Sequence, residues 1–289
     1  MHPKKGAADI RVSIFSKEPP SRDLMRIWWC VSGPLAFLPI HAAGIYDESK
    51  PGIASALSDF AISSYTPTVR SLIDSVKSPQ EYDKDNSGLF MISQPDTPHL
   101  PYIPRTTEEV RRVEQKLMPH DIRFLHLDSA AATVDHGIAN MKTYSCIHFA
   151  CHAQQCTDKP LKSGFSLYDG RLELSSIIQQ RLVGADLAFL SACQTSAGDE
   201  KLSEEAVHLA AGMLAAGYRG AVATMWSIRD EYGPIIAEDF YSNLIQDSER
   251  LSGEYAARAL HHATQNLRKS LGDSESALLT WVPYVHFGL

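Results

Sequence analysis

The sequence predicts an α/β fold, with a mostly parallel central sheet and helices on both faces. Three observations point there. Residues 145–150 and 186–192 are short, continuous apolar runs bounded by polar residues, the pattern of strands buried on both faces of a parallel sheet. From residue 122 onward such runs alternate with stretches of helical spacing. The chain of 289 residues is 44% hydrophobic and 21% charged, which suits a soluble protein with a substantial core.

In order, residues 11–15 and 26–31 read as strands, the second turned by Ser32-Gly33-Pro34. Residues 35–43 are apolar but broken by Pro39, and read as an irregular buried segment. A strand at 60–64 precedes Thr66-Pro67, a cap-and-proline helix start. Val69, Leu72, Ile73 and Val76 then recur at helical spacing. Residues 77–105 interrupt the pattern with a polar loop, a strand at 89–92, and Pro95, Pro98, Pro101 and Pro104. Prolines this dense forbid a helix. This seam divides the chain into an N-terminal part, 1–105, and a second part, 106–289, that carries the chemistry.

Thr106 and Thr107 cap the next helix, with Glu108 and Glu109 in its first turn and Val110, Val113 and Leu117 as its buried stripe. Strands follow at 122–127, 145–150, 186–191 and 220–225, with helices at 175–180 and 203–216 between them. Gly233-Pro234 opens another helix, Ala256 to Leu271 marks the last, and 281–287 closes the chain as a strand. No repeat of 20–50 residues recurs.

The net charge of −7 gives no electrostatic footprint for nucleic acid. Five cysteines, three of them crowded at Cys146, Cys151 and Cys156, fit no disulfide framework and read as reduced thiols. The N-terminus lacks the apolar core of a signal peptide, and the longest apolar stretch, 27–40, is too short to span a bilayer. The expectation is a cytoplasmic protein with no membrane span. Gly-x-Gly-x-x-Gly follows none of the strands, so no nucleotide or other cofactor is expected.

Both apolar runs stop at reactive side chains. The first runs into Cys151 and His152, the second into Cys193-Gln194-Thr195. Chemistry collects past the carboxyl ends of parallel strands. A cysteine and a histidine delivered there supply a nucleophile and its base. A free thiol titrates near ~8.5, so an imidazole that takes the proton of Cys193 makes the thiolate at neutral pH. His152 stands just past its strand. His148 shares its face but lies inside the run and is expected to be packed in the interior. His41 has no assigned role on spacing alone. Attack on a carbonyl makes an oxyanion, for which the backbone amides of Cys193 and Ala153 are the candidate donors. Ser191, Thr195, Ser196 and Gly198 suit a tight turn around the thiol.

His148-Phe149-Ala150-Cys151-His152, then Ser191-Ala192-Cys193-Gln194-Thr195, then Ala223-Thr224-Met225-Trp226-Ser227-Ile228-Arg229-Asp230 resemble the CHAT domain, a caspase-like cysteine protease family related to separases. Residues 28–44 and the terminal Trp281-Val282-Pro283-Tyr284-Val285 agree, so the resemblance covers the chain from about residue 11 onward. It implies a caspase-like three-layer sandwich, with His152 as the dyad histidine and Cys193 as the nucleophile of an endopeptidase. It implies a protein substrate and regulated proteolysis, including programmed cell death. It also implies a substrate pocket walled by Trp226, Ser227, Asp230 and Glu231, where Asp230 faces a basic side chain. Asp169 is a second candidate there. Many relatives have glycine where this chain has Ala153, but alanine still offers its N–H. Such domains often follow tetratricopeptide repeats. None is present here, so a repeat-containing sensor or regulator is expected on another chain.

Two alternatives stand beside the protease. One is a catalytically silent interaction module of the same family. The other is a zinc-binding α/β protein using His148, Cys151, His152 and Cys156, although adjacent residues diverge on an extended chain.

Overall fold

The computed structural model describes residues 24–46, 56–77, 87–154, 156, 158–194, 205–246, 251–272 and 274–289. The strand expected at 11–15 and the turn residues Thr195, Ser196 and Gly198 lie outside them. The strands are β1 (Met25–Trp29), β2 (Ala61–Tyr65), β3 (Leu89–Ser93), β4 (Phe124–Asp128), β5 (Cys146–Gln154), β6 (Gly164–Ser166), β7 (Arg171–Glu173), β8 (Leu187–Gln194), β9 (Gly220–Thr224) and β10 (Tyr284–Gly288). The helices are α1 (Val69–Lys77), α2 (Arg105–Leu117), α3 (Val134–Met141), α4 (Leu174–Gln179), α5 (Glu205–Ala216), α6 (Gly233–Gln246), α7 (Ala256–Leu271) and α8 (Glu275–Trp281).

These strands form one sheet in the order β1-β2-β10-β9-β8-β5-β3-β4, with β6 paired to β5 and β7 to β6. β9, β8, β5, β3 and β4 run parallel. β1, β2 and β10 are parallel to one another, and β10 meets β9 antiparallel. The sheet is therefore mostly parallel, with a single reversal of direction along the main order of the described strands.

Alternation along β5 splits the core in two. Ile147, Phe149, Cys151 and Ala153 face the layer of α3, α4 and α5, meeting Met141, Leu174, Ile177 and Met213. Cys146 and Ala150 face the layer of α2, α6 and α7, meeting Val110, Val113, Phe240, Tyr241 and Leu260. Continuous apolar runs arise because both faces of these strands are covered.

Several expectations change. β5 and β8 run on to Gln154 and Gln194, because they pair in register from Cys146↔Leu187 to Ala153↔Gln194 and β6 pairs with β5 at 152–154. The reactive positions thus sit inside paired strands, not past them. The helix stripe Val69, Ile73 and Val76 is 57%, 43% and 61% exposed, since helical period marks an apolar face without supplying its cover. Residues 35–43 form two short 3-10 turns in which His41 and Ala42 are buried but Leu35 and Leu38 are exposed. Thr68, not Thr66, caps α1, its Oγ1 accepting the Ser71 amide. Trp281 ends helix α8, so the last strand is shorter than its apolar run.

Candidate active site

The parallel register sets His152 of β5 directly beside Cys193 of β8. Register partners on adjacent strands share a face of the sheet. That face is the one covered by α2, α6 and α7, and His152 lies within it, 1% exposed. Cys193 is described through its backbone.

The His152 ring is held by an unexpected partner. Its Nε2 lies 2.7 Å from the carbonyl oxygen of Pro101, 51 residues away. A carbonyl only accepts, so Nε2 carries the hydrogen, and in the neutral ring the lone pair is at Nδ1. Nδ1 is buried and has no hydrogen-bond partner among the described residues. The strap that offers this carbonyl is fastened at both ends. Gln94 N donates to Ala150 O at 2.9 Å, Ile103 N donates to Pro95 O at 3.0 Å, and Thr106 Oγ1 donates to Ile103 O at 2.9 Å. Its prolines lack N–H groups to pair with, yet keep their carbonyls. Nothing in the spacing of Pro101 and His152 announces the contact.

Beneath the pair lies a second polar layer. His148 is fully buried, as its place inside the run implied. Its ring stacks on Phe189, Nε2 is 2.9 Å from Glu109 Oε1, and Nδ1 is 3.2 Å from the Tyr241 hydroxyl. Ser191 Oγ donates to Glu109 Oε2 at 3.0 Å. Glu109 is 2% exposed, so it does not serve the helix start as a solvated first-turn carboxylate. The signal was available. Thr106, Glu109, Val110, Val113 and Leu117 fall on one face of α2, and all are buried. A carboxylate in an apolar stripe marks a buried polar partner.

Asp230 lies in the loop after β9, beyond the same ends of the parallel strands. Its Oδ2 accepts the Arg105 amide at 3.1 Å, so it caps α2 from 125 residues away in place of the expected Thr106 or Thr107. Burial holds its carboxyl above the ordinary range, with a further push from Glu109, against the Arg105 hydrogen bond and the influence of His152. Trp226 donates Nε1–H to Leu279 O at 3.3 Å and packs at the junction of the two core halves. Ser227 is exposed beside it, and Glu231 lies 3.5 Å from Arg229. Asp169 serves elsewhere: its Oδ1 accepts the Val134 amide at 2.9 Å and caps α3. Ala153 pairs with Phe165 of β6 and Gln194 of β8, so its amide belongs to a strand and not to a turn.

The four residues weighed as zinc ligands do not converge. Cys151 faces the α4 and α5 layer, opposite His148 and His152, and the Cys156 amide donates to Ser163 Oγ at 3.0 Å. No group of three or more His, Cys, Asp or Glu side chains suited to a metal occurs among the described residues. Burial, aided by Asp186, pushes the Cys146 thiol up, so it is inert as a nucleophile. His41 spans Tyr65 Oη at 2.8 Å and Val282 O at 2.9 Å, and burial lowers it to about 4.

A family model described as the CHAT domain matches residues 8–289. No curated protein matches the chain in sequence. Among solved structures, the Arg specific cysteine proteinase gingipain R superposes with a TM-score of 0.53 at 11% identity, over 78% of this chain and 53% of its own. The complex of Porphyromonas gingivalis RgpB pro- and mature domains gives 0.56 at 12% identity, over 92% and 64%. The Saccharomyces cerevisiae separase-securin complex gives 0.51 at 14% identity, over 81% and 14%. The chain therefore spans about half of the gingipain R chain and about a seventh of the separase chain. At these identities the likeness is one of fold. No described helix is long and apolar enough to cross a membrane.

Proposed function

The chain belongs to the CHAT domain family, and on that premise we propose that it is a cysteine endopeptidase acting on a protein substrate in regulated proteolysis. One observation carries the reading. His152 has Nε2 fixed by Pro101 O and Nδ1 open, and it stands in register with Cys193. In this reading Nδ1 takes the thiol proton. The thiolate attacks the scissile carbonyl, and the backbone amide of Cys193 helps to hold the oxyanion; Ala153, the other donor expected from the sequence, would serve only if its amide is released from the β5–β6 edge. The imidazolium returns the proton to the leaving amine, and water then hydrolyses the thioester. Trp226, Ser227 and the half-buried carboxylate of Asp230 line the pocket for a basic side chain. Asp169, committed to α3, is not part of it.

The deep burial of His152 favours a second reading, a silent interaction module of the same family. A peptide-library cleavage profile, run on wild type and Cys193→Ala, separates the two. Cleavage after Arg or Lys by the wild type alone supports the protease. Equal cleavage by the variant, or none by either while Cys193 resists alkylation at neutral pH, leaves the silent module.

A further inference from the structure

We infer that Glu109 is a positioning residue for the His152–Cys193 pair, acting through the buried negative charge it supplies beneath it. The inference rests on the cysteine-protease reading. Glu109 reaches from α2 to both strands at once: His148, four residues before His152 on β5, and Ser191, two before Cys193 on β8. These four positions share one face of the sheet.

The hydrogen-bond roles of the neutral His148 ring leave the charge on Glu109. Tyr241 is fully buried, and His148 Nδ1 is the described hydrogen-bond partner of its hydroxyl. In the neutral ring the hydroxyl donates to Nδ1 and His148 Nε2 donates to Glu109. With the Ser191 hydroxyl also donating, Glu109 then accepts twice as a carboxylate. Its charge is left to the dipole of the N-terminus of α6. A Cβ on Gly233, the first residue of that helix, would lie 2.5 Å from Glu109 Oε2, so only glycine lets the carboxylate come so close. The groups facing Glu109 are thus His148 of β5, Ser191 of β8, Tyr241 and Gly233 of α6, and, electrostatically, Asp230 of the loop after β9.

Such a charge does what the neutral Pro101 carbonyl does less well. It favours the imidazolium that forms when His152 takes a proton, and with it the thiolate of Cys193. The field acts on the pair through the protein, so Glu109 needs no contact with substrate.

The test is the pH profile of iodoacetamide alkylation at Cys193, read by mass spectrometry of that peptide in the intact chain. Wild-type labelling at neutral pH, absent in His152→Ala, establishes the pair itself; its absence would refute the protease reading and this inference with it. Given labelling, Glu109→Gln keeps the shape and removes the charge. The expected result is an alkylation midpoint raised by about one pH unit, or about tenfold slower labelling at pH 7. Ser191→Ala keeps the charge and removes one donor, and is expected to leave the midpoint in place. A wild-type midpoint in folded Glu109→Gln overturns the inference, as does an equal rise in Ser191→Ala, which would make the effect purely structural. If Glu109→Gln does not fold, the titration of the wild-type His152 ring by NMR decides: a midpoint above about 6.5 supports the charge, and one below it refutes it.

Discussion

Two buried histidines, one in each direction of the sheet, each have one nitrogen without a partner among the described residues, and they differ in which nitrogen that is: the proposed base on one side, a packing residue on the other. In the parallel half, His152 donates Nε2–H to Pro101 O and keeps an open lone pair at Nδ1. In the reversed half, His286 of β10 has Nδ1 3.0 Å from Ser64 Oγ, which already accepts two N–H groups of Arg26. Ser64 must give its own hydrogen to Nδ1, so the unpaired Nε2 of His286 carries an N–H. That N–H abuts Gly220, where a Cβ would lie 3.0 Å away, and it has nothing to deprotonate. The electrostatics agree. Burial and Arg26 drive His286 well below its ordinary value, whereas His152 shares its face with Glu109 and Asp230. Burial alone does not suit a histidine to catalysis. On the proposed reading, which nitrogen its neighbours occupy and the sign of the nearby charge decide.

The sharpest way to break this contrast is a pair of substitutions. His152→Ala is expected to lower kcat/KM by about 10²- to 10⁴-fold. His286→Gln is expected to leave kcat/KM per folded molecule unchanged while lowering the melting temperature. Equal losses of activity in the two variants would erase the distinction. A subtler probe is the strap. Pro101→Gly keeps the carbonyl but frees the backbone, and about a tenfold fall in kcat is expected as the ring loses its orientation. Activity equal to wild type would mean that the Pro101 contact does not orient the base.

The smallest effect concerns the reversed half. His41 is buried between Tyr65 and Val282, and its value near 4 lies below the 6.5 of an exposed ring. The unfolded chain therefore binds the proton first. Stability is full above pH 6.5 and falls as pH drops toward 4, by about 3 kcal/mol from this group. Urea unfolding at pH 7.0 and 4.5 measures it, and His41→Gln is expected to flatten the slope. An unchanged slope would place the acid sensitivity elsewhere.

Much of this was legible along the chain. The buried strands 145–150 and 186–191 showed as apolar runs because parallel strands are covered on both faces, and the α2 stripe showed through its spacing. His148 was recognisable as interior from its place within a run. The reversal at β10 was not, because strand direction leaves no mark on an apolar run. The exposure of Val69, Ile73 and Val76 was hidden for a similar reason: periodicity shows a face, not what covers it.

Local composition and period thus determined the α/β class, most elements and the two residues set side by side at the strand ends, since these follow from short-range sterics and from which side chains avoid water. Only the tertiary structure decided the chemistry around them. Pro101 O on His152, Glu109 on His148 and Ser191, and Asp230 on the α2 amide are contacts across 51, 39, 82 and 125 residues. Hydrogen bonds at such separations depend on how strands and helices are stacked, and no nearest-neighbour pattern encodes that.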